Sequence, residues 1–175
     1  MKDVVIVPPK KMINKFEIFF TMVWLAIFAA AYFYADRLVG VYRSSEEQGL
    51  VFAQPIFNQE TLLSYWPIVI SLITLEVVLL FYKWRVGQWT MYLFWVSTAI
   101  HLFNSLAILF IASNPDLLNS GLASYLSDIM ELSTQSVNNS LNVIWAIIII
   151  SIIATFVIET WDSYRKAKIP LENKR

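Results

Sequence analysis

Four titratable side chains lie within, or at the edge of, long apolar runs of this sequence: Glu17, Glu76, His101 and Glu159. An ionisable group is costly to place in hydrocarbon. Each is therefore either a proton or ion ligand, or a neutral hydrogen-bonded tie between helices. His101 belongs to a wider pattern. Ser97, His101, Asn104 and Ser105 fall at i, i+4, i+7 and i+8, which draws one polar stripe along an otherwise apolar helix. Such a stripe would leave donors and acceptors unsatisfied in lipid, so it must face other helices.

Glu76 lies about six residues inside its apolar run, roughly 9 Å from the boundary at the helical rise. The same depth on the neighbouring runs falls near Thr21, Trp95 and Thr155. A threonine hydroxyl or the Trp95 indole is thus the expected partner of its carboxyl. The ordinary reading is a neutral carboxyl held between helices, and the alternative is a proton relay or cation site. His101 lies roughly 10 Å farther out than Glu76 on the same rise. The two are expected to stand apart, with His101 a buried hydrogen-bond hub beside Ser97 and Asn104. Glu17 and Glu159 sit within about a turn of their run ends, where snorkelling or pairing with Lys15, Lys83 or Arg165 relieves them.

Composition sets the class of element that positions these groups. Of 175 residues, 58% are hydrophobic and only 15% charged, against about 25% charged in soluble domains. The absence of cysteine excludes disulfides, thiolate chemistry and Cys-held metal or iron–sulfur centres. A single histidine argues against a protein-only transition-metal site, and the four glycines form no phosphate-binding loop. Neither a metal nor a cofactor is expected. No paired carboxylates or Ser–His–Asp set can be assembled, so an enzyme is not expected, and nothing points to nucleic acid.

The pattern predicts a single all-α membrane domain, an integral membrane four-helix bundle. Its spans are 16–35, 62–82, 89–111 and 141–160, with outer connections 36–61 and 112–140 and an inner turn 83–88. A cleaved signal peptide is the rival for the first run, whose length exceeds the usual h-region. Pro67 falls in the first turns of the second run, where a missing N–H costs least. The segment 49–58 is too apolar for a free linker and is expected to pack on the bundle or dip into the interface. Leu118, Leu122, Tyr125, Leu126, Ile129 and Met130 repeat at helical spacing, which predicts a short amphipathic helix within an extracellular cap.

Charge sets the orientation. Eleven of the 13 Lys and Arg residues fall on the N-terminal lead, the short turn and the C-terminal tail. The two long connections hold Arg37 and Arg43 against Asp36, Glu46, Glu47, Glu60, Asp116, Asp128 and Glu131. The positive-inside rule then places both termini in the cytoplasm and both long connections outside. Trp66, Trp84, Trp89 and Trp161 fall near the boundaries, as belt residues do.

VPPKK at 7–11, PIFN at 55–58, KWR at 83–85 and NPDLLN at 114–119 occur in that order. In this the chain resembles the membrane portion of the HAAS-domain membrane proteins of Gram-positive bacteria. The resemblance implies a multi-pass membrane protein with a cytoplasmic signalling domain ahead of its spans. It implies no site residues, and the lead of fifteen residues here leaves no room for that domain.

The expected function is that of a non-enzymatic accessory, regulatory or interaction protein of a bacterial plasma membrane. It would bind another membrane protein or a second copy through its outer connections, with Leu122, Leu126 and Ile129 as contacts. The alternative is a small transporter or channel, proton-coupled through Glu17 or Glu76.

Overall fold

The computed structural model describes residues 4–45 and 49–174. Lys2, Glu46, Glu47 and Arg175, which enter the charge count, lie outside the described residues. Helix dominates. Four helices are long and apolar enough to cross a membrane: α1 (Lys15–Phe33), α4 (Trp66–Val86), α5 (Met91–Ala112) and α7 (Thr134–Ala167). Between them lie α2 (Ala35–Leu38), α3 (Gln59–Ser64) and α6 (Leu122–Met130).

Local sequence explains where the long helices start and stop. The side chain of Asn14 accepts from the Phe16 N–H, that of Thr90 from Leu93, and that of Ser133 from Ser136. Each satisfies a donor that the first turn leaves free. Gly87 ends α4 in the left-handed region at φ 67°, which a glycine adopts without steric cost. Lys83 and Arg85 belong to the last turn of α4, where cations complement the helix dipole. The helix therefore continues past the expected boundary at 82. At the other end 62–64 belongs to α3, and α4 opens at Trp66 with Pro67 in its first turn. Likewise α7 begins at Thr134, because the polar run 133–140 is capped helix rather than linker.

The four long helices pack in chain order, α1 on α4, α4 on α5 and α5 on α7, and among the described residues no extensive contact closes α1 onto α7. Two apolar clusters hold this arc. Tyr32, Ala35, Leu62, Val69, Ile111 and Leu117 form one, and Leu79, Trp89, Leu93, Phe94 and Ala167 the other. The outer faces are the reverse of a soluble protein's: Phe16, Trp24, Ile144, Ile147 and Ile158 are all exposed. Such faces suit lipid.

At one end the basic segments converge. Strands β1 (Val4–Ile6) and β4 (Glu172–Lys174) pair antiparallel. The Ile13 N–H donates to the Gly87 carbonyl at 2.9 Å, and the Trp89 N–H to the Lys11 carbonyl at 2.8 Å. Lys11 is buried and donates its ammonium to the carbonyls of Ile169 at 2.7 Å and Ala167 at 3.4 Å, closing the end of α7. Lys11→Met should cost about 1–2 kcal/mol, since it strips a cation from a helix C-terminus in a partly buried setting. Thermal unfolding in detergent checks this, and an unchanged midpoint would mean that the ammonium contributes nothing.

At the other end the two long connections join. Strands β2 (Gly40–Ser45) and β3 (Gly49–Pro55) form an antiparallel hairpin, a pairing not expected of 49–58, while Phe57 packs against the core and Trp145 as a segment lying on the bundle would. The cause of the pairing is the β-branched and aromatic content of Val41, Tyr42, Val51 and Phe52. The Asn58 N–H donates to the Leu117 carbonyl and the Asn119 N–H to the Ile56 carbonyl, both at 2.9 Å. A Cβ on Gly40 would strike the Phe52 ring and come 2.7 Å from the Gln54 carbonyl oxygen. Gly40→Ala should therefore destabilise the hairpin by about 1–3 kcal/mol through overpacking, read as faster proteolysis of the connection 40–55.

The contact residues expected on α6 need correction. Leu122 is only 2% exposed and packs inside the chain's own fold, so it offers nothing to a partner. Leu126 is half-buried, and Ile129 alone of the three is exposed. Leu118 is not in the helix at all, being bridged to Phe57.

Candidate functional site

Because α4 runs to Val86 and α5 starts at Met91, Glu76 and His101 stand equally far from the turn between two antiparallel neighbours. They are level, and the expectation that they stand apart is overturned. Its error came from ending the second span at the basic residues, which are in fact helical. Glu159 is corrected in the same way. With α7 continuing to Ala167, it lies about two turns inside the helix rather than at its boundary.

Three helices thus bring four polar side chains together. His101 Nδ1 lies 2.8 Å from Glu159 Oε2, and His101 Nε2 lies 3.9 Å from Glu76 Oε1. Asn104 Nδ2 donates to Glu76 Oε2 at 3.0 Å. Asn104, rather than Trp95 or a threonine, is the partner of Glu76, while Trp95 is exposed on the outer face of α5. The side chains of Glu76 and His101 are 15% and 22% exposed, and that of Glu159 50%. They line an open groove of about 470 Å³ together with Ser105, Ser151 and Thr155. Thr155 is thus at the depth expected for it, on the wall of the groove.

The remaining candidates fall outside it. Ser97 is buried, and it lies a turn from His101 toward the basic end without lining the groove. Glu17 is exposed on the first turn of α1, and it does not line the groove either. The polar stripe of α5 does face neighbouring helices, as its spacing required.

The geometry defines what the cluster can do. A neutral imidazole with its proton on Nδ1 donates to the Glu159 carboxylate, leaving the Nε2 lone pair toward Glu76. At 3.9 Å that second contact is too long for a hydrogen bond. One water or a small shift of either side chain would complete a line from Glu76 through His101 to Glu159. His101 Nε2 and Asn104 Oδ1 are enclosed, and neither finds a hydrogen-bond partner among the described residues. Both therefore have unspent capacity inside the site.

No protein-family model, curated protein or solved structure matches the chain.

Charge bears on what the cluster can hold. Two ionised carboxyls outnumber the one imidazole, and the Lys83 ammonium is close enough to act electrostatically on both, so only part of their charge is left for a ligand to meet. Uncompensated charge of that kind is expensive. The nearby Lys83 ammonium sits over the Trp89 ring at 5.4 Å from its centroid, outside the groove. Among the described residues no three His, Cys, Asp or Glu side chains are grouped as a metal ion requires. Sequence reasoning placed Glu159 at a span end rather than beside His101, although Gly87 already marked where α4 ends and the basic residues after Glu159 read equally well as a helical last turn.

Proposed function

We propose that the chain is a multi-pass protein of a bacterial plasma membrane that couples protons to the movement of a cation. The proton is exchanged at Glu76, His101 and Glu159, without enzymatic chemistry. The observation that carries this reading is the placing of one imidazole between two carboxyls carried by three long apolar helices. Buried acids and histidines of this kind are how membrane proteins hold protons in transit. Both termini lie in the cytoplasm. In support of that, Lys10, Arg165, Lys166 and Lys168 line one depression at the end where the termini meet. A cluster of basic residues there suits an anionic inner leaflet.

The experiment is infrared difference spectroscopy of the protein in lipid between about pH 5 and about pH 8, the interval in which histidine charge changes. The difference spectrum should carry bands from the cluster, and these should change in Glu76→Gln and in Glu159→Gln. A spectrum identical in wild type and both variants would mean that the cluster does not exchange protons, and the reading would fall.

A second reading, an accessory protein acting through an extracellular cap, is favoured by the joined connections. There Ile129, Met130, Leu132 and Leu50 are exposed. The resemblance to HAAS-domain membrane proteins leans the same way. A stoichiometric partner retained in gentle detergent, and released by Ile129→Ser, would support it over transport.

A further inference from the structure

A second cavity lies against the polar groove. It is apolar, about 220 Å³ in volume, and placed where α1 faces α7 across the open side of the helix arc. Ala31 and Tyr32 line it from α1, Leu72 from α4 and Trp145 from α7. Ile108, Ile148 and Ile152 line both this cavity and the groove, so the two spaces share a wall. The few polar atoms nearby are already used: the Tyr32 hydroxyl donates to the Leu62 carbonyl, and the Trp145 indole to the Ala112 carbonyl at 2.9 Å. What remains is an apolar space adjoining an acidic one. An enclosed apolar cavity of about 150 Å³ is enough to take a benzene-sized group.

We infer that the site binds an amphiphilic organic cation, its charged head beside Glu76 and Glu159 and its apolar tail in the cavity walled by Ala31, Leu72 and Trp145. Charge complementarity selects the sign of the head, since the groove carries two carboxyls. The shared isoleucine wall sets head and tail within one molecule's length. The open side between α1 and α7 gives such a molecule a way in from the bilayer, where amphiphiles concentrate. This inference rests on the proton and cation reading of the cluster, and it names the substrate class.

Equilibrium dialysis tests it, with the full chain in phosphatidylcholine nanodiscs and empty nanodiscs as the blank. The probes are dodecyltrimethylammonium, tetramethylammonium and dodecanol. The long-chain cation should bind saturably, and the head alone about a hundredfold more weakly, because each buried methylene adds affinity. Glu76→Gln and Glu159→Gln should each weaken the long-chain cation about tenfold, as loss of a charge partner does. Ala31→Leu should weaken the long-chain cation but not the head alone. Phe28→Trp, at an exposed position that lines the cavity but not the groove, repeats that arm should Ala31→Leu fail to fold.

Tetramethylammonium binding as tightly as the long-chain probe would overturn the inference, and so would an absence of saturable binding. Dodecanol binding as well as the cation, or carboxyl variants without effect, would make the cavity a lipid-chain site and overturn it too. If the infrared bands of the cluster still change with pH in any of these cases, only the substrate class is lost. Bands that do not change remove the underlying reading.

Discussion

Glu159→Gln should slow proton-coupled flux through the protein about a hundredfold in proteoliposomes, the low end of what a positioned acid–base group contributes. Its carboxylate is the acceptor for His101 Nδ1 at 2.8 Å. An amide in its place can still accept that hydrogen bond, but it cannot take the proton. The line from Glu76 then ends at the imidazole. Folded yield should be unchanged, because the side chain is half exposed and Gln is nearly isosteric. Glu17→Gln is the internal control, and its flux should match wild type, since Glu17 lies outside the groove. His101→Gln combined with Glu159→Gln should be no worse than either alone, as expected for residues that act as one unit. A pH-sensitive dye inside the vesicles reads wild type, the three single variants and the double variant alike. Equal losses in Glu17→Gln and Glu159→Gln would show that the effect is not specific to the cluster.

Leu93→Ala should be the most damaging of the packing changes, costing about 2–5 kcal/mol in line with other buried Leu-to-Ala replacements. Leu93 is 0% exposed and is locked among Leu79, Trp89, Phe94 and Ala167. It sits where α5 meets both α4 and the end of α7, so a hole there loosens the helices that carry all four site residues. Val143→Ala, at a position 60% exposed on α7, should stay within about 0.5 kcal/mol, as changes away from packed sites usually do. Thermal unfolding of the two variants in one detergent makes the comparison. If Val143→Ala is the more damaging, the inner and outer faces have been assigned the wrong way round.

Much of the fold was legible because lipid imposes long uncharged runs, and four such runs stand out from the sequence. The inward stripe of α5 was legible for the same reason, since polar groups at helical spacing cannot be left in hydrocarbon. What failed was depth. A hydropathy boundary at Lys83 is not a helix end, because basic residues are favoured in a last turn and the chain stops only at Gly87. That shift of about one turn separated Glu76 from His101 on paper and hid their pairing. Trp161 to Lys168 misled in the same way about Glu159. On α6, helical periodicity marked an apolar face correctly but could not say which residues the chain itself covers. Leu122 went inward against the joined connections, a tertiary outcome that spacing does not encode. The hairpin of β2 and β3 was obscured because an apolar stretch of that length suits interface and strand alike.

The chain has one histidine, so labelling histidine with 15N isolates the site in a single pair of ring signals. Their chemical shifts, followed in lipid from about pH 8 to about pH 5, test the central claim most directly. At the upper end the account predicts a protonated, hydrogen-bonded Nδ1 and a bare Nε2. On acidification Nε2 should gain a proton, at a pH that moves in both Glu76→Gln and Glu159→Gln. A spectrum with the proton on Nε2 throughout, or a titration indifferent to both carboxyl variants, would contradict it.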